Sequence, residues 1–438
     1  MQPGSDVTAA PVGRIEVVSW ALFDFANSGY TTVVLTTIYG AYFVAVICGE
    51  AGLAGGTATL LWTLAIALAN LVVLLSGPVV GAIADYRASK KRFLFLTTAV
   101  CVTSTALLGL AGPGEVATAL VLVVLSAVAF ASGENLIAAF LPEIADDDNM
   151  GRVSGYGWSL GYLGGLLTLA ACLAYVDQAT RAGLPAAHYV PVTLYITAVV
   201  FALAASPTFI WLRERARPHA RATPTSYLMQ GYDEVRSTLQ RAMQFQDLFR
   251  FLGCLVLFQS GVATVIVVAA IYAQQVMGFS ERDLIVLIMV VNLTAAAGAF
   301  AFGFAQDRFG SVPSLVCALL VWIAAIVFTF LADSPADLWF AGNLMGAAMG
   351  ATQSGGRALV GRLTPVAHSG EFFGLWGMAN RAAAILGPLS YGLLSHFSGG
   401  DHRLALLSTL AMFVAGLLLL PWINEARGMA AREQLPAR

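Results

Sequence analysis

The sequence predicts an all-α membrane protein with twelve transmembrane helices in two six-helix, pseudo-symmetric halves. Three observations lead to this prediction. Hydrophobic residues make up 58% of the 438 residues and charged residues only 11%, whereas an ordinary soluble domain has about 25% charged residues. Twelve apolar segments are each about 20 residues or longer, which is the length of a helix that spans a bilayer. A short motif in the first half of the chain also returns at the matching place in the second half.

The composition excludes several functional classes. A soluble enzyme of this length could not bury so much apolar surface, and a disordered chain would be far more polar. The net charge of −2 leaves no large basic surface, so we expect no nucleic-acid partner. The five cysteines stand singly in apolar runs, which is the pattern of neither a disulfide framework nor a metal site. We therefore expect a monomer in the lipid bilayer with no metal, cofactor or catalytic residues.

The predicted spans follow one another with short breaks, and several breaks contain turn-forming residues such as Pro113 and Gly114. No signal peptide is expected before the first span. In chain order the spans lie near residues 18–47, 58–84, 93–112, 117–144, 153–175, 190–212, 248–276, 284–305, 313–332, 337–361, 372–397 and 404–423.

The one long break, residues 213–246, divides the spans six and six. We therefore expect an N-terminal half over residues 1–212 and a C-terminal half over residues 247–438. Within the break, apolar residues recur at steps of three and four from Leu228 to Met243. This spacing predicts an amphipathic helix on the membrane surface, although a simple tether is equally compatible with it.

The distribution of lysine and arginine predicts the orientation. If the N-terminus is cytoplasmic, the inside receives most basic residues, including the cluster from Arg87 to Arg92. The outside then receives only Arg181, Arg282 and Arg403. Both termini are therefore expected in the cytoplasm.

A motif in the break after the second span returns in the break after the eighth span, where Asp307 corresponds to Asp85. Each copy has a glycine four positions before the aspartate, and a basic residue follows. The glycine lets helices approach closely, and the aspartate can lie at the N-terminus of a helix from the other half. We expect this contact to shut the cytoplasmic side in one state, although the basic cluster can also serve topology alone. The predicted gating residues are Gly81, Asp85, Arg87, Lys91, Arg92, Gly303, Asp307 and Arg308.

The interval from Asp85 to Asp307 also pairs Gly155 with Gly377 and Gly165 with Gly387, in the fifth and eleventh spans. Two six-helix halves related by repetition are typical of transporters. The sequence therefore predicts that the solute cavity lies between the halves.

These motifs carry a resemblance to known proteins. The repeated motif resembles the signature of the major facilitator superfamily. More specific stretches are WALFDFANSGY at 20–30, FLPEIA at 140–145, RVSGYGWSLGYLGG at 152–165 and EFFG at 371–374. They are similar to the family whose fungal members export amino acids from the vacuole after autophagy.

The resemblance covers essentially the whole chain. It implies a solute carrier, favours amino acids as cargo and efflux as the direction, and implies that the first, fourth, seventh and tenth spans line the cavity. The bacterial members of the family imply a bacterial inner membrane. Arg381 stands where lysine is expected in many relatives. The positive charge is kept, but a guanidinium that can donate two parallel hydrogen bonds replaces an ammonium.

Ionisable residues inside spans are costly and are therefore the first candidates for function. Asp24, with Asn27 three residues later, can receive a substrate amine or a proton. Glu134, followed by Asn135, lies roughly 18 Å into the fourth span, near the midplane, which suits a proton carrier. Arg381 lies at a matching depth. We expect it to pair with Glu134 in the empty state and to clamp a substrate carboxylate.

Arg357 of the tenth span lies about two turns from the cytoplasmic end and is expected to snorkel to the interface. A role in binding or coupling is a further possibility for it. Tyr30, Trp158 and Tyr162 are candidate aromatic linings of the cavity. Each candidate also has a structural alternative: a carboxylate at a helix start, a buried ion pair, or an aromatic ring used for packing.

The sequence therefore predicts a secondary transporter of a small solute. It would work by alternating access and be coupled to protons through Glu134 or Asp24. One alternative is a multidrug or lipid exporter, which would tolerate loss of Arg381. Another is a sensor or scaffold that transports nothing. An intramembrane enzyme has little support, since the sequence lacks a phosphate loop, a zinc-binding histidine pair and a nucleophile elbow.

Overall fold

The computed structural model describes residues 12–216 and 244–434, together with Tyr232 and Arg236 between them. Throughout these residues the chain is helical, with turns and short connections between the helices and no strand. The surface helix predicted within 213–246 lies largely outside the described residues.

Twelve long helices follow one another along the described chain, and a shorter one ends it. Most lie within about four residues of a predicted span, which is the usual uncertainty of helix ends. They are α1 (Arg14–Glu50), α2 (Gly55–Tyr86), α3 (Lys90–Leu108), α4 (Val116–Ala138), α5 (Met150–Arg181), α6 (Ala186–Trp211), α7 (Gln246–Gln275), α8 (Glu281–Phe309), α9 (Ser311–Leu331), α10 (Pro335–Leu363), α11 (Ser369–Phe397), α12 (His402–Leu419) and α13 (Glu425–Glu433).

Ten of the twelve long helices are apolar enough to cross a bilayer. The other two, α10 and α11, carry charged residues, among them Arg357, Arg362, Glu371 and Arg381. Much of each helix is buried within the bundle. The chain is therefore an all-helical integral membrane protein, and the count of twelve spans stays a prediction for α10 and α11.

Two helix crossings join the first six helices to the last six. In one, α5 packs on α8, and in the other, α2 packs on α11. Glycines let the backbones touch: a Cβ atom at Gly155 would lie 2.7 Å from the carbonyl oxygen of Ala299, and one at Gly374 would lie 2.6 Å from that of Gly77. Both distances are too short for carbon and oxygen, so each crossing requires glycine.

These contacts correct one predicted equivalence. Gly155 packs on Ala299, and the residue that packs at the corresponding place, on Gly77, is Gly374 rather than Gly377. Equivalent residues of α5 and α11 are therefore fewer positions apart in the sequence than equivalent residues of α2 and α8. The reason is that the segments between these helices differ in length in the two groups. Gly377 instead lies against Asn135 of α4.

A second internal repeat, which we did not predict from the sequence, joins helix ends within each group of six. Directly after α6, the Glu214 carboxylate accepts hydrogen bonds from the backbone N–H groups of Lys90 and Lys91, at the start of α3 (2.6 and 3.2 Å). After α12, Glu425 accepts from the backbone N–H and the hydroxyl of Ser311, at the start of α9 (2.9 and 2.7 Å). Each glutamate therefore stabilises the N-terminus of a neighbouring helix.

The basic residue that follows each of these glutamates binds an acid at the start of another helix. Arg215 pairs with Glu16 of α1 at 2.7 Å, and Arg427 pairs with Asp247 of α7 at 2.6 Å. These contacts tie the first and third helices of each group to the segment that follows its sixth helix. A related pair, Arg432 of α13 with Asp147 at 2.5 Å, connects the two groups.

We expect Glu425→Ala to lower the thermal unfolding temperature of the purified protein. The change removes the N-terminal partner of α9 and one of the carboxylates that bind Arg362, a loss of about 1–3 kcal/mol. Glu433→Ala, on the exposed end of the same helix, is the matched control and should change the temperature little. Equal unfolding temperatures for the two variants would show that the Glu425 contacts contribute no stability.

Candidate solute site and gate

An ion pair between α4 and α11 lies deep in the bundle and joins the first six helices to the last six. Nη2 of Arg381 donates to Oε2 of Glu134, and Nη1 donates to Oδ1 of Asn70 on α2 at 3.4 Å. Arg381 comes twelve residues after Ser369, the start of α11, or roughly 18 Å along the helix. The side chains remain 17% and 27% exposed. Both charged side chains are therefore only partly buried.

Further polar groups in the bundle lack partners or pair with each other. Nε of Arg381 and Nε1 of Trp158 are buried and have no hydrogen-bond partner among the described residues. Gln259 of α7 donates to Gln353 of α10 at 3.2 Å, and both are partly exposed. Since buried donors are almost always satisfied in proteins, the unpaired N–H groups are available to a bound solute or to water.

A second ion pair is buried much more completely. Nη1 of Arg357 on α10 donates to Oδ2 of Asp24 on α1 at 2.7 Å. Arg357 is only 3% exposed, so the prediction that it snorkels to the interface is wrong. The reason is that Asp24 and Ser154 satisfy the guanidinium inside the bundle, and the rings of Trp20 and Trp158 lie 4.6 and 5.4 Å from it.

The remaining candidate residues lie in different surroundings. The Tyr30 hydroxyl donates to Ser126 at 2.8 Å and its ring stacks on Phe130, so this residue packs within the first six helices. The rings of Trp158 and Tyr162 are 5.8 Å apart and partly exposed.

The two predicted asparagines are buried. Oδ1 of Asn27 has no hydrogen-bond partner among the described residues. Asn135 lies between Gly77 and Gly377, where neither of its amide atoms is hydrogen-bonded to a described residue. Asn135 therefore belongs to the α2–α11 contact, although its neighbour in the sequence, Glu134, belongs to the partly exposed ion pair with Arg381.

The two repeated aspartates bind helix N-termini across the groups, as predicted. Asp85 accepts hydrogen bonds from the backbone N–H groups of Gly370 and Glu371 on α11, both at 2.9 Å. Asp307 accepts from those of Gly151 and Arg152 on α5, at 2.7 and 3.0 Å. We call the end of the bundle that carries both aspartates the gate end. These contacts join the two groups of helices at that end, and each carboxylate is favoured by the partial positive charge of the helix it binds.

The cation that supports Asp85 is Lys90, which we did not single out from the sequence. Its ammonium pairs with Glu143, lies 3.5 Å from Asp85 and donates to the Ser369 hydroxyl at 2.7 Å. The predicted gating residue Lys91 instead donates to the carbonyl of Leu212. Glu143, the glutamate of the FLPEIA segment, could have identified Lys90 from the sequence, because a buried acid needs a cation as its partner.

Three other predicted gating cations lie at the surface. Arg87 and Arg92 are exposed. Arg308 is exposed too and lies over the ring of Phe309, 5.4 Å from its centre. Asp307 is bound instead by Arg152 at 2.9 Å and Arg362 at 3.0 Å. Adjacent residues of a helix point about 100° apart, so Arg308 cannot share the direction of Asp307.

Lys90→Ala should destabilise the protein strongly, because it leaves Asp85 and Glu143 buried without their cation. Removing one partner of a buried ion pair typically costs about 3–5 kcal/mol. We expect a fall of several degrees in the thermal unfolding temperature of the purified protein. Arg92→Ala, two residues away and exposed, is the control. Unchanged stability in Lys90→Ala would contradict the role given to this lysine.

Comparison with known proteins identifies the family. The family model described as "Vacuole effluxer Atg22 like" matches residues 55–433. The MFS-type transporter YxiO of Bacillus subtilis (strain 168) is 25% identical, over 95% of this chain and 96% of its own length. Autophagy-related protein 22-1 of Aspergillus niger is 22% identical over 62% of this chain but 46% of its own length, so the chain matches about half of that relative.

The fold agrees with solved transporters. The E. coli fucose:proton symporter FucP matches with a TM-score of 0.70 at 14% identity, covering 94% of this chain and 98% of that chain. At this identity the match shows the fold alone, which is that of the major facilitator superfamily. The family match and the full-length relative, together with this fold, show a membrane transporter rather than an enzyme, and the resemblance found in its motifs is confirmed. It belongs to the Atg22-like vacuole effluxer family.

Proposed function

We propose that the chain exports amino acids by alternating access, coupled to protons, with Glu134 and Arg381 as the solute-binding pair. The observation that carries this proposal is the partly exposed ion pair deep between the two groups of helices. An amino acid has the same two charges in one small molecule. Its ammonium can bind Glu134, while its carboxylate accepts two parallel hydrogen bonds from the Arg381 guanidinium.

In the proposed cycle, the gate end faces the cytoplasm and opens when the last six helices rotate against the first six. Opening requires Asp85 to leave the N-terminus of α11 and Asp307 to leave that of α5. The solute then enters from the cytoplasm and separates Glu134 from Arg381. Closing restores both helix contacts and exposes the solute to the opposite side.

The proposed orientation rests on the distribution of charged residues, and the proposed direction and proton coupling rest on similar proteins. The excess of lysine and arginine in the connections at the gate end supports a cytoplasmic location for both termini. The family description names a vacuole effluxer, which supports export, and FucP is named as a proton symporter, which supports proton coupling. We propose a monomer in the inner membrane of a bacterium.

The proposal is tested by efflux from proteoliposomes loaded with a labelled amino-acid mixture under an imposed pH gradient. We expect gradient-dependent loss of one class of amino acid, which stops when an ionophore collapses the gradient. Protein-free liposomes are the control for leakage. Efflux of hydrophobic dyes or lipids, unaffected by Arg381→Ala, would instead support the multidrug or lipid exporter. No efflux of any solute from folded protein would support a sensor or scaffold.

A further inference from the structure

The buried ion pair of Asp24 and Arg357 differs from the solute-binding pair in its surroundings. Arg357 uses its three nitrogen atoms for hydrogen bonds to the Asp24 carboxylate, the Ser154 hydroxyl (3.1 Å) and the Ser154 carbonyl (2.9 Å). Trp20 and Trp158 lie over the guanidinium. Asp24 is 8% exposed. A solute carboxylate therefore has no open access to this arginine.

The pair crosses between the same two groups of helices as the gate. Asp24 on α1 and Ser154 on α5 belong to the first six helices, whereas Arg357 on α10 belongs to the last six. Ser154 lies between Gly151 and Gly155, which form the α5–α8 crossing, and its hydroxyl also donates to the carbonyl of Ser354 on α10. When α5 moves away from α8 and α10, Arg357 must leave Asp24.

Separating this pair while both groups are charged would leave a buried carboxylate and a buried guanidinium without partners. That is among the most unfavourable changes a protein interior can undergo. A proton on Asp24 removes the negative charge and leaves a neutral acid that Arg357 can release. Protonation of Asp24 is therefore a local change that favours opening of the gate end.

We infer that Asp24 is the proton-binding site of the transport cycle and that its protonation releases Arg357, which lets the gate end open. This inference rests on the proposed function, which it deepens. The proton binds a carboxylate oxygen of Asp24 while the gate end is shut. Once that end is open, Asp24 gives the proton to water on that side, and the ionised carboxylate binds Arg357 again as the gate end closes.

The proposed cycle connects the proton to the solute through the state of the gate end. Asp24 carries the proton while the gate end opens, and it is ionised and paired with Arg357 while the gate end closes around the solute. Glu134 of α4, the acid of the other pair, also acts electrostatically on Asp24. Each opening therefore carries a proton toward the gate end and each closing carries the solute away from it, which is what exchange of a solute for a proton requires.

The test measures the gate end directly by double electron–electron resonance, without added solute. Spin labels at Asp146, between α4 and α5, and at Ala426 of α13 are both exposed there. The background carries Cys317→Ser, since the other four cysteines are buried. In nanodiscs of the full chain, acidification from about pH 8 to about pH 5, a range in which a buried carboxyl can titrate, should increase the population with long distances.

Asp24→Asn should show the long distances at both pH values, because its amide is neutral throughout. Arg357→Gln breaks the same pair from the other side and should also lose the pH response. Glu134→Gln, the same change of acid to amide at the other pair, should keep the response. A parent without pH response, a response that persists in Asp24→Asn, or one that disappears in Glu134→Gln would overturn the inference.

Transport assays separate this inference from the proposed function. Asp24→Asn should lose gradient-driven efflux, down to the rate of protein-free liposomes, because the neutral amide cannot carry a proton, yet it should retain exchange of labelled for unlabelled amino acid. Efflux that keeps its full dependence on the gradient in this variant would refute Asp24 as the proton site while leaving the amino-acid exporter intact. The distance measurement needs no solute, so a wrong assignment of the cargo would not affect it.

Discussion

Arg381→Ala is expected to reduce gradient-driven amino-acid efflux at least about 100-fold, because each hydrogen bond to a charged group is worth about 1.5–3 kcal/mol and the proposed carboxylate clamp uses two. The change also leaves Glu134 without its cation, so an incoming ammonium would bind a site with an unbalanced charge and no place for the carboxylate. The initial rate of efflux of a labelled amino acid from proteoliposomes measures this effect.

Two further variants make this result specific. Arg381→Lys keeps the charge but loses the bidentate geometry, and about a tenfold reduction in rate is expected from the loss of one such bond. Arg181→Ala removes an arginine that is 79% exposed and pairs only with its neighbour Asp177 among the described residues, and it should transport at the parent rate. If Arg381→Ala transports as fast as Arg181→Ala, the Glu134–Arg381 pair is structural and the proposed site is wrong.

Gly374→Ala should reduce transport at least about tenfold through sterics alone, since overpacking a tight contact displaces the backbone. A Cβ atom there would lie 2.6 Å from both the carbonyl oxygen of Gly77 and the Cα of Pro78 on α2. Neither is the end of a flexible side chain, so α2 and α11 would have to separate. The gate end would then fail to close, and Asp85 would lose its contact with the N-terminus of α11. The rate of exchange of labelled amino acid measures this effect.

Gly392→Ala is the matched control on the same helix. A Cβ atom at Gly392 would have no other atom within 4 Å, so the only expected effect is the helix-forming advantage of alanine over glycine, about 1 kcal/mol. This variant should transport normally and be slightly more stable. Equal transport rates for Gly374→Ala and Gly392→Ala would show that the α2–α11 contact is not needed for closing.

Much of the fold could be predicted because the bilayer imposes length and composition without reference to tertiary contacts. The start of α8 at Glu281 was predicted near residue 284, and the end of α11 at Phe397 was predicted at that residue. The contacts of Asp85 and Asp307 could be predicted for a different reason. A repeated glycine–aspartate motif has a limited set of uses at a helix end, and the repetition placed both copies at equivalent positions.

The contacts of Lys90, Lys91 and Arg357 could not be predicted. They depend on the rotation of each helix about its axis and on partners that lie far away in the sequence. Lys90 and Lys91 are adjacent, and only the packing of α3 decides which one faces Asp85. Arg357 was expected to snorkel because it lies less than two turns before the end of α10. Its actual partner, Asp24, lies in the first helix of the chain, and nothing in the local pattern connects the two.

The claim that Glu134 and Arg381 bind both charges of an amino acid is the centre of this account. It is tested most directly by titrating the purified protein with individual amino acids in a calorimeter. For any amino acid that binds, its decarboxylated amine, which lacks the carboxylate, and its N-acetyl derivative, which lacks the ammonium, are then compared with it. We predict that each analogue binds at least about tenfold more weakly, since each lacks a charge-assisted contact. Equal affinity for the amino acid and an analogue without its carboxylate would contradict the account.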